Sequence, residues 1–426
     1  MGGLFEGWFG GLFDARLDLY PLLAAVLAAV TCGVLGNFLV LRRISLMGDA
    51  ISHSVLPGLV VAFLITSTRS PLVMFVGAAT AGVMTVVLVE FIKRFGRVEP
   101  GAAMGVVFSV LFALGVLLIE RAAVRHVDLD ADCVLYGQLE LLSLRPEVPR
   151  QVWTLLGMCV GAFVFVGLLF KELRIAAFDP ALATTQGFHA GGLHYLLMVF
   201  VAGATVASFE AVGSILVIAM LVCPAATARL LTDRLLSQIA VSVAVALASA
   251  VIGYFGATLV PGWFGFDSVN AAGSITVVSG GMLVLAIFAS PSHGVIARVV
   301  RQRGLVRRVV RDDVLAALFR AGERGEAGLD GARIATMFEG LGTGEALAWL
   351  EKRAFVRRDG DRFGLTESGT ERALEIVRRH RLWERYLVDE AGMPPDHVHE
   401  AAEMLEHVPV RPEAGPETDP HGRAIP

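Results

Sequence analysis

Charge is scarce in this chain of 426 residues: Asp, Glu, Lys and Arg make up 18%, where soluble domains carry about 25%. An ordinary globular enzyme is a poor match. Acids and bases nearly cancel, 40 against 36 for a net charge of −4, which excludes nucleic-acid affinity through bulk charge but not through a local patch. Lysine is almost missing. Lys93, Lys171 and Lys352 are the whole complement and none follows a glycine, so the G-K-[ST] core of a Walker A phosphate loop is absent. Cysteine is as thin: Cys32, Cys133, Cys159 and Cys223 stand far apart with no C-x-x-C pair, which argues against a zinc knuckle or a disulfide frame.

What is abundant is apolar length. Hydrophobic residues make up 55% of the chain and the mean hydropathy is +0.65. Apolar runs near 19–41, 46–67, 71–92, 101–120, 150–170, 192–208, 212–230, 236–260 and 270–290 are each about long enough to cross a hydrocarbon core of roughly 30 Å. Only Ser208–Gly213 separates the sixth run from the seventh. Arg42 with Arg43, Lys93 with Arg94 and Arg97, Lys171 with Arg174, Arg229 with Arg234, and Arg298 with Arg301 and Arg303 all follow odd-numbered runs. The positive-inside rule then places the N-terminus outside and the C-terminal domain in the cytosol. The loop 121–149 dissents mildly, with Arg121, Arg125 and Arg145, and Arg150 beside it.

The chain divides by composition. Residues 1–18 lack a basic start and a cleavage site and read as an interfacial segment rather than a signal peptide. Residues 19–298 form the membrane domain, an all-α polytopic bundle of about nine helices. A basic linker, 299–311, leads to a soluble α+β part with a winged-helix pattern over 312–370 and a helical segment over 371–426. Half of the ten histidines (His380, His397, His399, His407 and His421) lie in that last segment.

Two ionisable residues stand where lipid should forbid them, in RRISLMGDAISHSVLPG (42–58). If the helix continues from Arg43 at the membrane surface, its rise puts Asp49 about 9 Å deep and His53 about 15 Å deep. Four residues apart, they share one helix face and offer an oxygen and an imidazole nitrogen, donors suited to a first-row divalent ion. On spacing alone, a helix-capping Asp49 and a His53 bonded to backbone explain them equally well. The segment resembles the zinc/manganese/iron class of ABC transporter permeases, as do LDADCVLYGQ (129–138), FDPALATTQGF (178–188), AVGSILVIAMLVCPAATARLLTDR (211–234) and ASPSHGVIAR (289–298). The resemblance covers roughly 15–300 and implies an importer in a bacterial plasma (inner) membrane. It puts Asp49 and His53 on the metal path, with Glu210 as a further candidate; an acid at the outer helix break explains Glu210 as well. It also implies that 178–188, where Asp179, Ala183 and Gly187 recur at four-residue spacing, is the coupling helix that docks on a separate ABC ATPase. An external solute-binding protein and a homodimeric or heterodimeric pore are the other partners it implies.

In the tail, DDVLAALFRAG opens a helix, ARIATMFEGLGTGEALAWLEKRAFV reads as a helix-turn-helix and VRRDGDRFGLTESG as a wing. His380 and Glu384 are four apart on one helix; Glu403, Glu406 and His407 fall at i, i+3 and i+4 on the next, with His399 at its start. Oxygen and nitrogen donors without thiolate suit Mn²⁺ or Fe²⁺, though an exposed charged helix pair has the same pattern. RRHRLWERYLVDEAGMPPDHVHEAAEMLEHV (378–408) and DPHGRAIP (419–426) resemble the diphtheria-toxin-repressor class of iron and manganese regulators, over about 312–426. That resemblance implies a metal-binding and dimerisation segment with Asp313 as a further ligand. Asp419 stands where cysteine is common in that class, Ala424 where proline is, and Glu403 where iron-type members carry cysteine, which favours manganese. The recognition helix TGEALAWLEKRA sets Glu345 and Glu351 against Lys352 and Arg353, so duplex binding is expected to be weak or lost.

The reading is a permease subunit of an ATP-driven divalent-metal importer, manganese favoured and iron or zinc allowed, with a cytosolic metal-sensing domain. Its rivals are a membrane-tethered metal-dependent transcription regulator and a permease for metal chelates, which needs no Asp/His pair.

Overall fold

A computed structural model of the chain describes residues 17–67, 70–123, 139, 142, 148–263, 265, 269–338, 342–405 and 418–425. They form two compact units, 1–297 and 298–426. The first is helical: α1 (Leu19–Leu41), α2 (Met47–Thr66), α3 (Pro71–Gly96), α4 (Pro100–Ala123), α5 (Arg150–Leu168), the short α6 (Phe170–Phe178) and α7 (Pro180–Thr185), α8 (Ala190–Val212), α9 (Ser214–Leu231), α10 (Leu235–Gly262) and α11 (Ala271–Ala289). Among the described residues nine of these are long and apolar enough to span a bilayer, each overlapping one of the runs read from the sequence. The interfacial segment 1–18 lies almost wholly outside the described residues, as does 129–138.

Lipid tails are as apolar as leucine, so helices associate here through close packing rather than the hydrophobic effect. Helix α1 is the hub because its residues are small. Ala24, Ala25, Ala28, Ala29, Cys32 and Val34 are all buried, and the helix packs on α5, α8, α9 and α10. At Gly36 a Cβ would overlap the Leu221 carbonyl of α9, and a Cβ on Gly77 of α3 would come within 2.6 Å of the Gly58 carbonyl of α2. Gly36→Val should therefore destabilise at the upper end of the about 1–3 kcal/mol typical of overpacking, read as a lowered melting temperature of the purified protein. An unchanged melt would mean that α1 and α9 separate freely. Buried polar groups pair across the same seams. Asn37 on α1 accepts from Gln238 Nε2 of α10 at 3.0 Å, and Ser242 of α10 donates to the Gly33 carbonyl at 2.9 Å.

The ends of α1 and α9 are set by backbone geometry. Arg43 takes a left-handed φ of 57°, and the Arg43 and Ile44 amides donate back to the Val40 and Leu39 carbonyls at 3.1 and 3.0 Å. This is the two-bond helix stop that usually needs glycine. Gly213, at φ 81°, separates α8 from α9.

The second unit begins within α12 (Val295–Glu323), so the expected linker 299–311 is helical. It continues with β1 (Leu329–Asp330), α13 (Gly331–Met337), α14 (Thr343–Lys352), β2 (Val356–Asp359), β3 (Arg362–Leu365) and α15 (Glu367–Asp389). A single 3-10 turn, Pro395–His397, precedes α16 (His399–Leu405). The three strands pair antiparallel in the order β1-β3-β2, with Leu329 opposite Phe363 and Val356 opposite Leu365. Gly360 at φ 65° turns the β2–β3 hairpin, as a left-handed position requires. Val314, Leu318, Leu329, Ile334, Leu350, Val356, Ile376 and Val377 form one core shared by the small sheet and the helices around it, the arrangement of a winged helix.

Candidate metal sites

Asp49 and His53 do meet: His53 Nε2 lies 3.3 Å from Asp49 Oδ1, with 24% and 40% of the two side chains exposed. Their position along the helix differs from the expectation. The Arg43 stop breaks the helix, α2 restarts at Met47, and Asp49 sits in its first turn. From the start of α2 the rise puts Asp49 only about 3 Å along and His53 about 9 Å. A first-turn carboxylate also gains from the amino-terminal end of the helix dipole.

Two features of this site were not legible as such. The His53 ring packs against Phe108 at 5.1 Å and edge-on to Phe112 at 5.8 Å, both on α4, which fixes its rotamer. Pro57 lies inside α2 four residues after His53. Proline has no N–H, so the His53 carbonyl loses its helical donor. The proline was in the sequence, but its meaning needed the helix to run unbroken through it.

Glu210 is not part of this constellation. It lies exposed in the last turn of α8, 3.4 Å from Gln151 Nε2 at the start of α5. His194, in the second turn of α8, bonds Arg42 at the other end of the bundle. About sixteen residues of helix, roughly 24 Å, therefore separate Glu210 from the Arg42 end.

The expected docking face of 178–188 is also rearranged. Asp179 is the N-cap of α7, accepting from the Ala181 and Leu182 amides at 2.9 and 3.0 Å. Ala183 is fully buried and Gly187 supplies a left-handed exit at φ 88°. The four-residue recurrence thus reports a cap, an inward contact and a turn. The outward apolar groups are Phe178 and Leu182, 60% and 47% exposed.

In the second unit three donors converge. His380 Nε2 and His399 Nδ1 approach Glu384 Oε1 at 3.1 and 2.8 Å and each other at 3.1 Å. His380 and Glu384 are buried on α15, while His399 opens α16 and is exposed. Burial pushes the Glu384 carboxyl up, but the hydrogen bonds from His380 and His399 outweigh it and hold its pKa at about 2. Two imidazole nitrogens aimed at one carboxylate oxygen are a donor set for a divalent cation, so the residues fit a metal. Glu403 is exposed on α16 and Asp313 half-buried on α12, and neither joins the cluster among the described residues. Glu406 and His407 lie outside the described residues.

The family model of the ABC 3 transport family matches residues 19–290, and that of the iron dependent repressor, metal binding and dimerisation domain matches 366–410. The chain belongs to the ABC 3 transport family. It is a multi-pass membrane transport subunit with a repressor-type metal-binding domain joined to it. It is 39% identical over 291 residues to the manganese transport system membrane protein MntD of Bacillus subtilis, covering 67% of this chain and 96% of that one. It is equally 39% identical over 295 residues to the zinc transport system membrane protein TroD of Treponema pallidum, 68% of this chain and 78% of that one. The manganese transport system membrane protein MntC of Bacillus subtilis is 30% identical over 379 residues and covers 87% of this chain and 84% of its own. That match must run past residue 297 into the second unit.

Proposed function

We propose that this chain forms the membrane path of an ATP-driven importer for a divalent first-row metal, manganese favoured, and that its second unit senses the same ion in the cytosol. The observation that carries the reading is the Asp49–His53 pair, half-exposed on a spanning helix. An acid there costs at least about 2.5 kcal/mol at mid-membrane, less near the interface, unless polar surroundings or a cation compensate. Two half-exposed pairs facing each other across a dimer, or one facing a sister permease, would supply such surroundings. Mixed oxygen and imidazole donors suit Mn²⁺, Fe²⁺ or Zn²⁺ without selecting sharply among them. Manganese accumulation in cells lacking their own importer, with zinc and iron as competitors, tests the cargo. Uptake unaffected by the chain and its ATPase would sink the assignment.

By the positive-inside rule the basic loops support α7 in the cytosol and the N-terminus outside, where a solute-binding protein would deliver the ion. Energy must come from an ATPase on another polypeptide, since Lys93, Lys171 and Lys352 offer no phosphate loop. The purified chain should therefore hydrolyse no ATP by itself. Leu182→Glu should weaken co-purification of the ATPase without lowering the melting temperature, because it charges the outward face of α7 and leaves buried Ala183 in place. Undiminished assembly would move the docking surface elsewhere.

His380, Glu384 and His399 would hold the regulatory ion, with Glu403, Glu406, His407 and Asp313 as further candidates. On the recognition helix α14, Glu345 is 72% exposed and paired with Arg307 at 3.4 Å. An acid on the surface that must meet phosphates favours a regulatory role within the transporter over a DNA-binding one.

A further inference from the structure

Positive charge and apolar surface share the first half of α12. No Asp or Glu occurs from Val295 to Arg311, while Arg298, Arg301, Arg303, Arg307, Arg308 and Arg311 all fall there. Every residue from 298 to 308 is exposed. Arg307 and Arg311 turn to α14, the first pairing with Glu345 at 3.4 Å and the second lying over the Trp349 ring at 4.0 Å. At 3.6 residues per turn, Val295, Val299 and Val306 form one row, Arg298 and Arg303 flank it, and Arg301 and Arg308 lie on the opposite face. Val299 and Val306 are 38% and 49% exposed. A helix standing in water has no use for a bare valine row between arginines. A helix lying in a headgroup layer does: the row meets acyl chains while the flanking arginines reach out to phosphates.

The start of α12 is pinned where spanning helices end. Helix α11 is a span that closes at Ala289, and α12 opens at Val295. In the turn between them Ser290 Oγ donates to the Leu230 carbonyl in the last turn of α9, and His293 Nε2 lies 2.8 Å from Asp233 Oδ1 just past that helix. Two spans therefore leave the bilayer at this turn, and the arginines begin within about a Debye length, ~8 Å, of its headgroups. We propose that residues 298–308 of α12 bind the surface of an anionic lipid bilayer, with Val299 and Val306 set among acyl chains and the arginines on lipid phosphates. Charge selects the lipid, since a zwitterionic headgroup exerts no net attraction on a cationic helix. Nucleic acid would engage the arginines but leave the valine row in water. The inference rests on the membrane class of the first unit and not on the metal it carries.

The test uses the full chain in nanodiscs of phosphatidylcholine, alone or mixed equally with phosphatidylglycerol, and follows hydrogen exchange of the amides of 298–308. Phosphatidylglycerol should slow that exchange at least about tenfold. High salt should undo most of the slowing by screening the arginines. Arg303→Glu with Arg308→Glu should abolish the slowing, as should Val299→Asp with Val306→Asp, while Arg357→Glu, an exposed arginine of β2, should keep it. Equal exchange in the two lipids overturns the proposal, and so does slowing that survives either double variant. Slowing by duplex DNA in phosphatidylcholine discs, without an effect of phosphatidylglycerol, overturns the lipid as partner. If neither double variant is recovered folded, the salt titration of the unmodified chain decides; slowing indifferent to salt overturns the proposal as well.

Discussion

Asp49→Asn and His53→Ala should each reduce manganese uptake to near the background of cells without the permease, while the protein stays in the membrane at normal levels. Each removes one donor from a site with few. A charge-assisted contact contributes about 1.5–3 kcal/mol, so each loss should lower productive occupancy tenfold to more than a hundredfold. Asp49→Asn keeps the shape but not the charge, and separates a ligand role from a packing one. Pro57→Ala offers a finer probe. It returns an N–H to the His53 carbonyl, so uptake should fall while stability holds or rises. Normal uptake in both ligand variants would remove the pair from the metal path.

Metal binding by the second unit should be the other large effect. His380→Ala or His399→Ala should weaken Mn²⁺ binding at least about a hundredfold, beyond the about 10–100-fold typical of losing a supporting outer group. The pH dependence has a definite sign. Glu384 is held at about 2 and stays ionised throughout the neutral and mildly acidic range. A protonated imidazole nitrogen has no lone pair to give. Binding should therefore release protons and weaken on acidification through the imidazole range, with no further loss from Glu384 until far lower. Calorimetry in buffers of different ionisation heat reads the proton release directly. An affinity unchanged between about pH 7.5 and 5.5 would exclude the two histidines.

The same substitutions test feedback. Uptake by the intact chain should decline as cytosolic manganese accumulates, and His380→Ala with Glu384→Ala should keep uptake high. This requires the ion-bound tail to favour one transporter state, since an ion bound equally in both shifts nothing. If uptake shuts down normally in that variant, the tail is not the sensor.

Much of the fold was legible because lipid imposes length and composition residue by residue, and because a winged helix alternates periods along the chain. The Asp49–His53 and His380–Glu384 pairs were legible for a related reason: residues four apart on one helix are neighbours whatever surrounds them. Where periodicity was read as a face, it failed. Asp179, Ala183 and Gly187 recur every four residues, yet the helix they mark is only six residues long, so they became a cap, a buried contact and a turn. The Arg43 stop carried no glycine to announce it, and so the break between Arg43 and the helix bearing Asp49 was not foreseen.

The sequence by itself determined the number of crossings, the class of each unit and the donors available to a metal, since each depends on local composition and helical spacing. Only the tertiary structure decided which donors meet. Placing His399 against Glu384 requires two helices to fold onto each other, and separating Glu210 from Asp49 requires α8 to run the height of the bundle. Those are distances between elements far apart in the chain, and side-chain chemistry along one helix does not encode them.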